Sequence, residues 1–197
     1  MIRSVVTSWW RVCARPRTST FNSEIRGKSN IKTFLGVAAG ALVGLLLSWV
    51  VHQLAGQSQG EFMGLASIWV RSGTPPPFAS WAVLVPLGVI VGFYDAEIAL
   101  FIVARLLGGK GSFSTQAYAQ SLFYAPLAIV QQVFVVTPVV ARPLFALAAA
   151  CSLIPTTTSL KAAHGYSTVR AVLTWAAPIV LNILAVMAVV MLVSRSR

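Results

Sequence analysis

Acidic residues are scarce in this chain. Of 197 residues only Glu24, Glu61, Asp95 and Glu97 carry a carboxylate side chain, and charged residues of both signs make up 10%. A soluble domain usually carries about 25%, and a water-facing surface cannot be assembled from so few charges. Cysteine is limited to Cys13 and Cys151, which lie in different segments and form no CxxC pair. That pattern excludes a disulfide framework and a cysteine-based metal site. Histidine is limited to His52 and His164. No Ser/His/Asp or Cys/His arrangement is legible, so the reading is a protein that is not an enzyme and uses no metal or cofactor. A cleavable signal peptide is excluded too, because the first long apolar run begins at Phe34, behind a polar and basic leader too long for an n-region.

What the chain has instead is hydrophobic length and positive charge. Hydrophobic residues make up 57%, and fifteen Lys and Arg leave a net charge of +11. A nucleic-acid binder would place such charge in a stripe on a folded surface. Here the basic residues sit between long apolar runs, which is the distribution of membrane topology. Nucleic acid is therefore not an expected partner; membrane lipids and other integral membrane proteins are.

The expected fold class is all-α: an integral membrane bundle of five transmembrane helices with an N-terminal amphipathic interfacial helix. Residues 1–32 form a cytoplasmic basic leader, 33–193 the transmembrane domain and 194–197 a short basic tail. In the leader, Ile2, Val5, Val6, Trp9, Trp10 and Cys13 share one helical face, with Arg3, Ser4, Thr7 and Arg11 opposite. Such a helix suits the bilayer interface, or equally a seat on the protein's own cytoplasmic surface. Pro16 ends it, and Arg15 to Lys32 reads as polar, basic chain.

The five spans are expected at Thr33–Leu54, Ser80–Leu107, Ser114–Val140, Pro143–His164 and Ser167–Val193, each long enough for a hydrocarbon core of about 30 Å. Only Arg142 and Pro143 separate the third from the fourth. The loop between the first two spans holds an apolar stripe of Phe62, Leu65, Ala66 and Trp69, ended by Pro75, Pro76 and Pro77. With the N-terminus in the cytoplasm, the inner segments hold Arg3, Arg11, Arg15, Arg17, Arg26, Lys28, Lys32, Arg105, Lys110, Lys161 and Arg170. The outer segments hold Arg71, Arg142, Arg195 and Arg197. That asymmetry sets the N-terminus inside and the C-terminus outside.

Gly36, Gly40 and Gly44 put a doubled GxxxG register on one face of the first span, fit for close packing inside the bundle or between copies. A homo-oligomer stays open. Gly108 and Gly165 are placed as the stops of two helices. Gly108-Gly109-Lys110-Gly111 has neither the spacing nor the preceding strand of a phosphate loop. His164 beside Gly165 reads as a helix-end residue favoured by the dipole.

Two cytoplasmic turns echo one another. Gly111-Ser112-Phe113-Ser114-Thr115 precedes Ala125-Pro126, and Gly165-Tyr166-Ser167-Thr168 precedes Ala177-Pro178, each with a glycine, an aromatic and hydroxyl residues to cap the next helix. Around them, Leu106-Leu107-Gly108-Gly109-Lys110-Gly111-Ser112-Phe113, Ala163-His164-Gly165-Tyr166-Ser167-Thr168 and the leader run Arg15-Pro16-Arg17-Thr18-Ser19-Thr20-Phe21 carry a resemblance. At these places the chain resembles the Yip-one domain family of Ypt/Rab-interacting membrane proteins, in its bacterial type. The resemblance covers nearly the whole chain in order and implies a five-helix bundle with a cytoplasmic N-terminus, in a bacterial cytoplasmic membrane. Eukaryotic members of that family are linked to Rab GTPases, but their Asp-Leu-Tyr-Gly-Pro signature is missing here, so Rab binding does not carry over.

Asp95 and Glu97 are the residues that could carry chemistry. Asp95 lies thirteen residues before Gly108, about 20 Å along a helix. Carboxyls inside a bilayer cost several kcal/mol unless paired or neutralised. Two positions apart on a helix they face opposite ways and cannot share one site. Gln131 and Gln132 of the third span, Asn182 of the fifth and His52 of the first are the partners expected for whichever faces inward. The expected function is a scaffold or accessory subunit of a larger membrane complex. The alternative is a small transporter or channel with Asp95 and Glu97 along its path; a trafficking-type adaptor acting through the turns is a third.

Overall fold

The computed structural model describes residues 2–55, 78–135 and 138–195. They form seven α-helices and no strand: α1 (Ile2–Ala14), α2 (Thr18–Ile25), α3 (Asn30–Ala55), α4 (Phe78–Leu106), α5 (Phe113–Val135), α6 (Pro138–His164) and α7 (Thr168–Arg195). The apolar stripe at Phe62 to Trp69 and the prolines 75–77 lie outside the described residues.

Among the described residues, three helices are long and apolar enough to cross a membrane, through the windows Asn30–Leu47, Pro86–Leu106 and Thr168–Leu192. α5 and α6, of 23 and 27 residues, are more polar over their lengths, and the packing gives the reason. α5 is the central helix: α1, α2, α3, α4 and α6 all pack on it. Thr115, Gln116, Gln120 and Ser121 are buried there among Ala117, Ala119 and Leu122. A helix walled by other helices need not present apolar side chains all round. In α6 the hydroxyls of Thr156, Thr157 and Thr158 turn back onto the carbonyls of Ser152, Leu153 and Ile154 at 2.8, 2.7 and 3.0 Å. That back-bonding satisfies them inside a helix that also carries Pro155.

Two helix boundaries depart from the sequence reading. The fourth long helix begins at Pro138, so Pro143 lies inside α6 and does not open it. The run from Arg15 to Lys32, read only as polar and basic chain, contains α2. Phe21 is the reason: it is fully buried and meets Phe123 edge-on at a centroid distance of 6.2 Å. Val12, Tyr118, Ala119 and Leu122 complete that cluster, with Trp9 packed against it. Glu24 fastens α2 to α1 by accepting from Ser8 Oγ at 2.7 Å and Arg11 at 3.0 Å. Lys28 Nζ then donates to Thr115 Oγ1 at 2.6 Å, at the start of α5. The leader is thus a helical hairpin docked on the bundle, while Trp10 stays 77% exposed.

α3 approaches α5 closely. A Cβ on Gly40 would stand 2.7 Å from Ala125 Cβ, and Gly36 lies against Ser121 and Trp9. Gly44 is buried in the same helix. Gly36 and Gly40 are therefore spent on packing within the chain.

Candidate functional site

The turn after α4 is a double-bonded helix stop. Gly108 N–H donates to Arg105 O and Gly109 N–H to Ala104 O, with Gly108 at φ +83°. This is the Schellman arrangement, which needs the left-handed conformation glycine adopts freely. α6 ends on the simpler version, with Gly165 N–H donating to Lys161 O and Gly165 at φ +68°. Ser112 caps α5 through its Oγ to Thr115 N–H at 3.3 Å, so the capping hydroxyl stands two residues before Ser114.

These stops bring three helix ends together around one buried polar cluster. Glu97 of α4 is 3% exposed, Gln116 of α5 0% and His164 of α6 3%. Gly111 N–H donates to His164 Nδ1 at 3.2 Å, which leaves the ring proton on Nε2. Nε2–H then donates to Gln116 Oε1 at 2.8 Å. Gln116 Nε2 in turn donates to Glu97 Oε2 at 2.8 Å and to the Glu97 carbonyl at 3.0 Å. The amide of Gln116 is oriented from both ends, and the imidazole is held as one tautomer.

Aromatic rings close the cluster. Tyr166 stacks on His164 with centroids 5.3 Å apart and planes 9° apart, and Phe101 lies 6.1 Å away. Arg105 sits over Phe101 and donates to Gly109 O. Burial raises the Tyr166 phenol above its ordinary pKa, while its bond to Thr174 acts the other way. The glycines of the turn are required by space. A Cβ on Gly109 would come within 2.7 Å of His164 Nδ1, and one on Gly111 would overlap the Ala163 carbonyl. Lys110 is exposed, and only its backbone N–H reaches the cluster, at His164 O.

Glu97, Gly109, Gly111 and His164 thus meet, and Gln116 joins them. His164, read as a helix-end residue acting on the dipole, instead bridges two other elements through both ring nitrogens. Of the polar residues expected within the spans, Glu97 is the one that faces inward, while Asp95 and Asn182 are exposed. Asp95 is exposed on the opposite side of α4, as two positions on a helix demand. Asn182 is exposed on α7, a helix whose contact with α4 lies near the turns. The side chains of Gln131, Gln132 and His52 lie outside the described set. Gln116 was missed because the partner of Glu97 was sought deeper in the spans. The available signal was an amide on the first turn of the next helix, beyond a glycine turn tight enough to fold it back.

One turn beyond Gln116, Gln120 is 4% exposed and its Nε2 has no partner among the described residues. No group of three or more His, Cys, Asp or Glu that could hold a metal exists among the described residues. Elsewhere a groove of about 470 Å³ runs between α1, α5 and α6, lined by Trp10, Cys13, Phe123, Pro126, Cys151 and Pro155 among others, and does not reach Glu97.

Comparisons with family models, curated proteins and solved structures give no match.

Proposed function

We propose that this chain is a non-enzymatic multi-pass membrane protein serving as a scaffold or accessory subunit of a larger membrane complex. The observation that carries the proposal is the way Glu97 is held. Its carboxyl is buried, bonded to Gln116 and tied through it to His164, so the polar group locks three helices to one another. A transport path needs a polar group that faces a cavity and exchanges partners. An amide in the middle of the chain of bonds is also a poor proton relay, because it has no readily exchanged acidic proton. The reading of Glu97 as a clasp therefore weighs against the transporter alternative, which would route through Asp95 and Glu97.

We place five spans, α3 to α7, in a bacterial cytoplasmic membrane, with α1 and α2 on the cytoplasmic face and the C-terminus outside. The charge asymmetry supports the orientation, and the exposed Trp10 beside the apolar groove supports an interfacial seat for α1. The kinship with Yip-type proteins rests on the short glycine motifs alone and is part of the same proposal.

Extraction of native membranes in mild detergent, followed by native-gel separation and mass spectrometry, tests the role. A stoichiometric complex with other integral membrane proteins is expected. A lone monomer or homodimer overturns the accessory reading. In reconstituted vesicles, Asp95→Asn combined with Glu97→Gln is expected to change no ion flux; a flux that the double variant abolishes establishes the transporter.

A further inference from the structure

The polar residues that the clasp does not absorb are Asp95 and Asn182. Both fall inside apolar windows long enough to cross a membrane, Pro86–Leu106 and Thr168–Leu192. Both are exposed, and no described residue bonds to either. Asp95 lies on an outward stripe of α4 with Val91, Ile98 and Ile102, which are 57%, 50% and 54% exposed.

α4 and α7 pack through Ala104 and Ala171, which share one core cluster with Tyr166. From Ala104, Asp95 is nine residues away; from Ala171, Asn182 is eleven. At 1.5 Å per residue these are about 14 and 17 Å from the same reference level. Beyond Pro178 every described side chain of α7 is exposed, on all sides of the helix. The last helix is anchored near the turns and then leaves the bundle uncovered.

Polar and ionisable side chains within spans almost always face a bundle interior, a water-filled cavity or a partner of opposite character. Here both face outward, about 14 and 17 Å beyond the level at which α4 and α7 pack. We infer that the outward faces of α4 and α7 around Asp95 and Asn182 seat a transmembrane helix of a different protein that carries a Lys or Arg near mid-membrane. The cation pairs with Asp95, and Asn182 hydrogen-bonds the same helix. This inference rests on the accessory-subunit reading and names the partner's chemistry.

Charge decides against a second copy of this chain as the occupant. Within the three windows its own cations are Lys32, Arg105 and Arg170, each within a turn of a helix end. Arg142 and Lys161 lie near the two ends of α6, and α5 has no cation. No helix of a second copy offers positive charge at the height of Asp95.

The test is photo-crosslinking in native membranes from the full chain with a photoreactive residue in place of Val186, one turn from Asn182. The crosslinked peptide is then sequenced. The expected adduct is a transmembrane segment of another protein with a Lys or Arg near its centre. Asp95→Asn and Asn182→Leu each lower the yield about tenfold, the size of one intramembrane polar contact, whereas Asp95→Glu retains it. Asp95 and Asn182 make no bond to a described residue, so these variants leave the fold intact. An adduct with a second copy, with lipid alone, or with a segment lacking an intramembrane cation overturns the inference, as do undiminished yields in both variants. Native gels of the same variants separate the two failures. A complex that survives both substitutions places the partner elsewhere and keeps the accessory reading; a chain that migrates alone without any substitution removes both.

Discussion

Gln116 donates to one neighbour and accepts from another, so its replacement strands two groups at once. Gln116→Leu leaves the His164 Nε2–H and the Glu97 carboxyl without their partner in a buried setting. The expected loss is about 3 kcal/mol of stability, read as a fall in thermal unfolding temperature in detergent. Glu97→Gln keeps an acceptor for Gln116 and is expected to cost less than about 1 kcal/mol. If the two variants melt alike, the clasp is not held by these bonds. Gln120 makes the opposite case. Its Nε2 is buried without a partner among the described residues, so Gln120→Leu is expected to raise the melting temperature. At this scale the sequence showed Glu97 and hid Gln116. An acid in an apolar run is conspicuous against its surroundings. A glutamine near a helix start looks like a surface residue until the turn before it is known to fold inward.

The elements were legible where composition changes sharply. Long apolar runs and the stops at Gly108 and Gly165 outline the long helices, because only glycine adopts the left-handed stop without strain. α2 was illegible because its surroundings are polar and basic; its helix is fastened by one buried ring, Phe21, whose partner Phe123 lies far along the chain. The start of α6 was displaced because Arg142 and Pro143 suggest a boundary, yet the helix begins at Pro138, itself a residue suited to a first turn, and runs on through Pro143. Spacing set the glycine register, but not which helix it meets. Gly40→Val is expected to push α3 off Ala125 and cost about 2 kcal/mol, within the range for overpacking. Gly111→Ala, with a methyl placed onto the Ala163 carbonyl, is expected to unseat His164 and lower stability by at least as much. A melting curve of either variant indistinguishable from the parent contradicts the close approach on which it rests.

For the molecule as a whole, the proposed orientation is open to direct measurement. Reporter fusions that fluoresce only in the cytoplasm are expected to be active at the N-terminus and dark at the C-terminus. The reverse pattern, or activity at both ends, contradicts five spans with the N-terminus inside. The charge count supports that arrangement because it depends on which short loops hold Lys and Arg, a property readable without any contact. The neighbours of each helix were not readable in the same way. α5 became the centre only through the packing of α3, α6 and the leader around it.

The docking of the leader has a consequence for biosynthesis. α1 and α2 leave the ribosome well before the surfaces that receive them, on α5 and α6, have been made. At 5–20 residues per second, on the order of ten seconds pass between the two. During that interval Tyr118, Ala119, Leu122 and Phe123, the α5 side chains that cover Trp9, Val12 and Phe21, do not yet exist. The nascent leader is thus obliged to wait at the membrane surface or in the grip of a chaperone, and its final seating reports that the bundle behind it has been inserted.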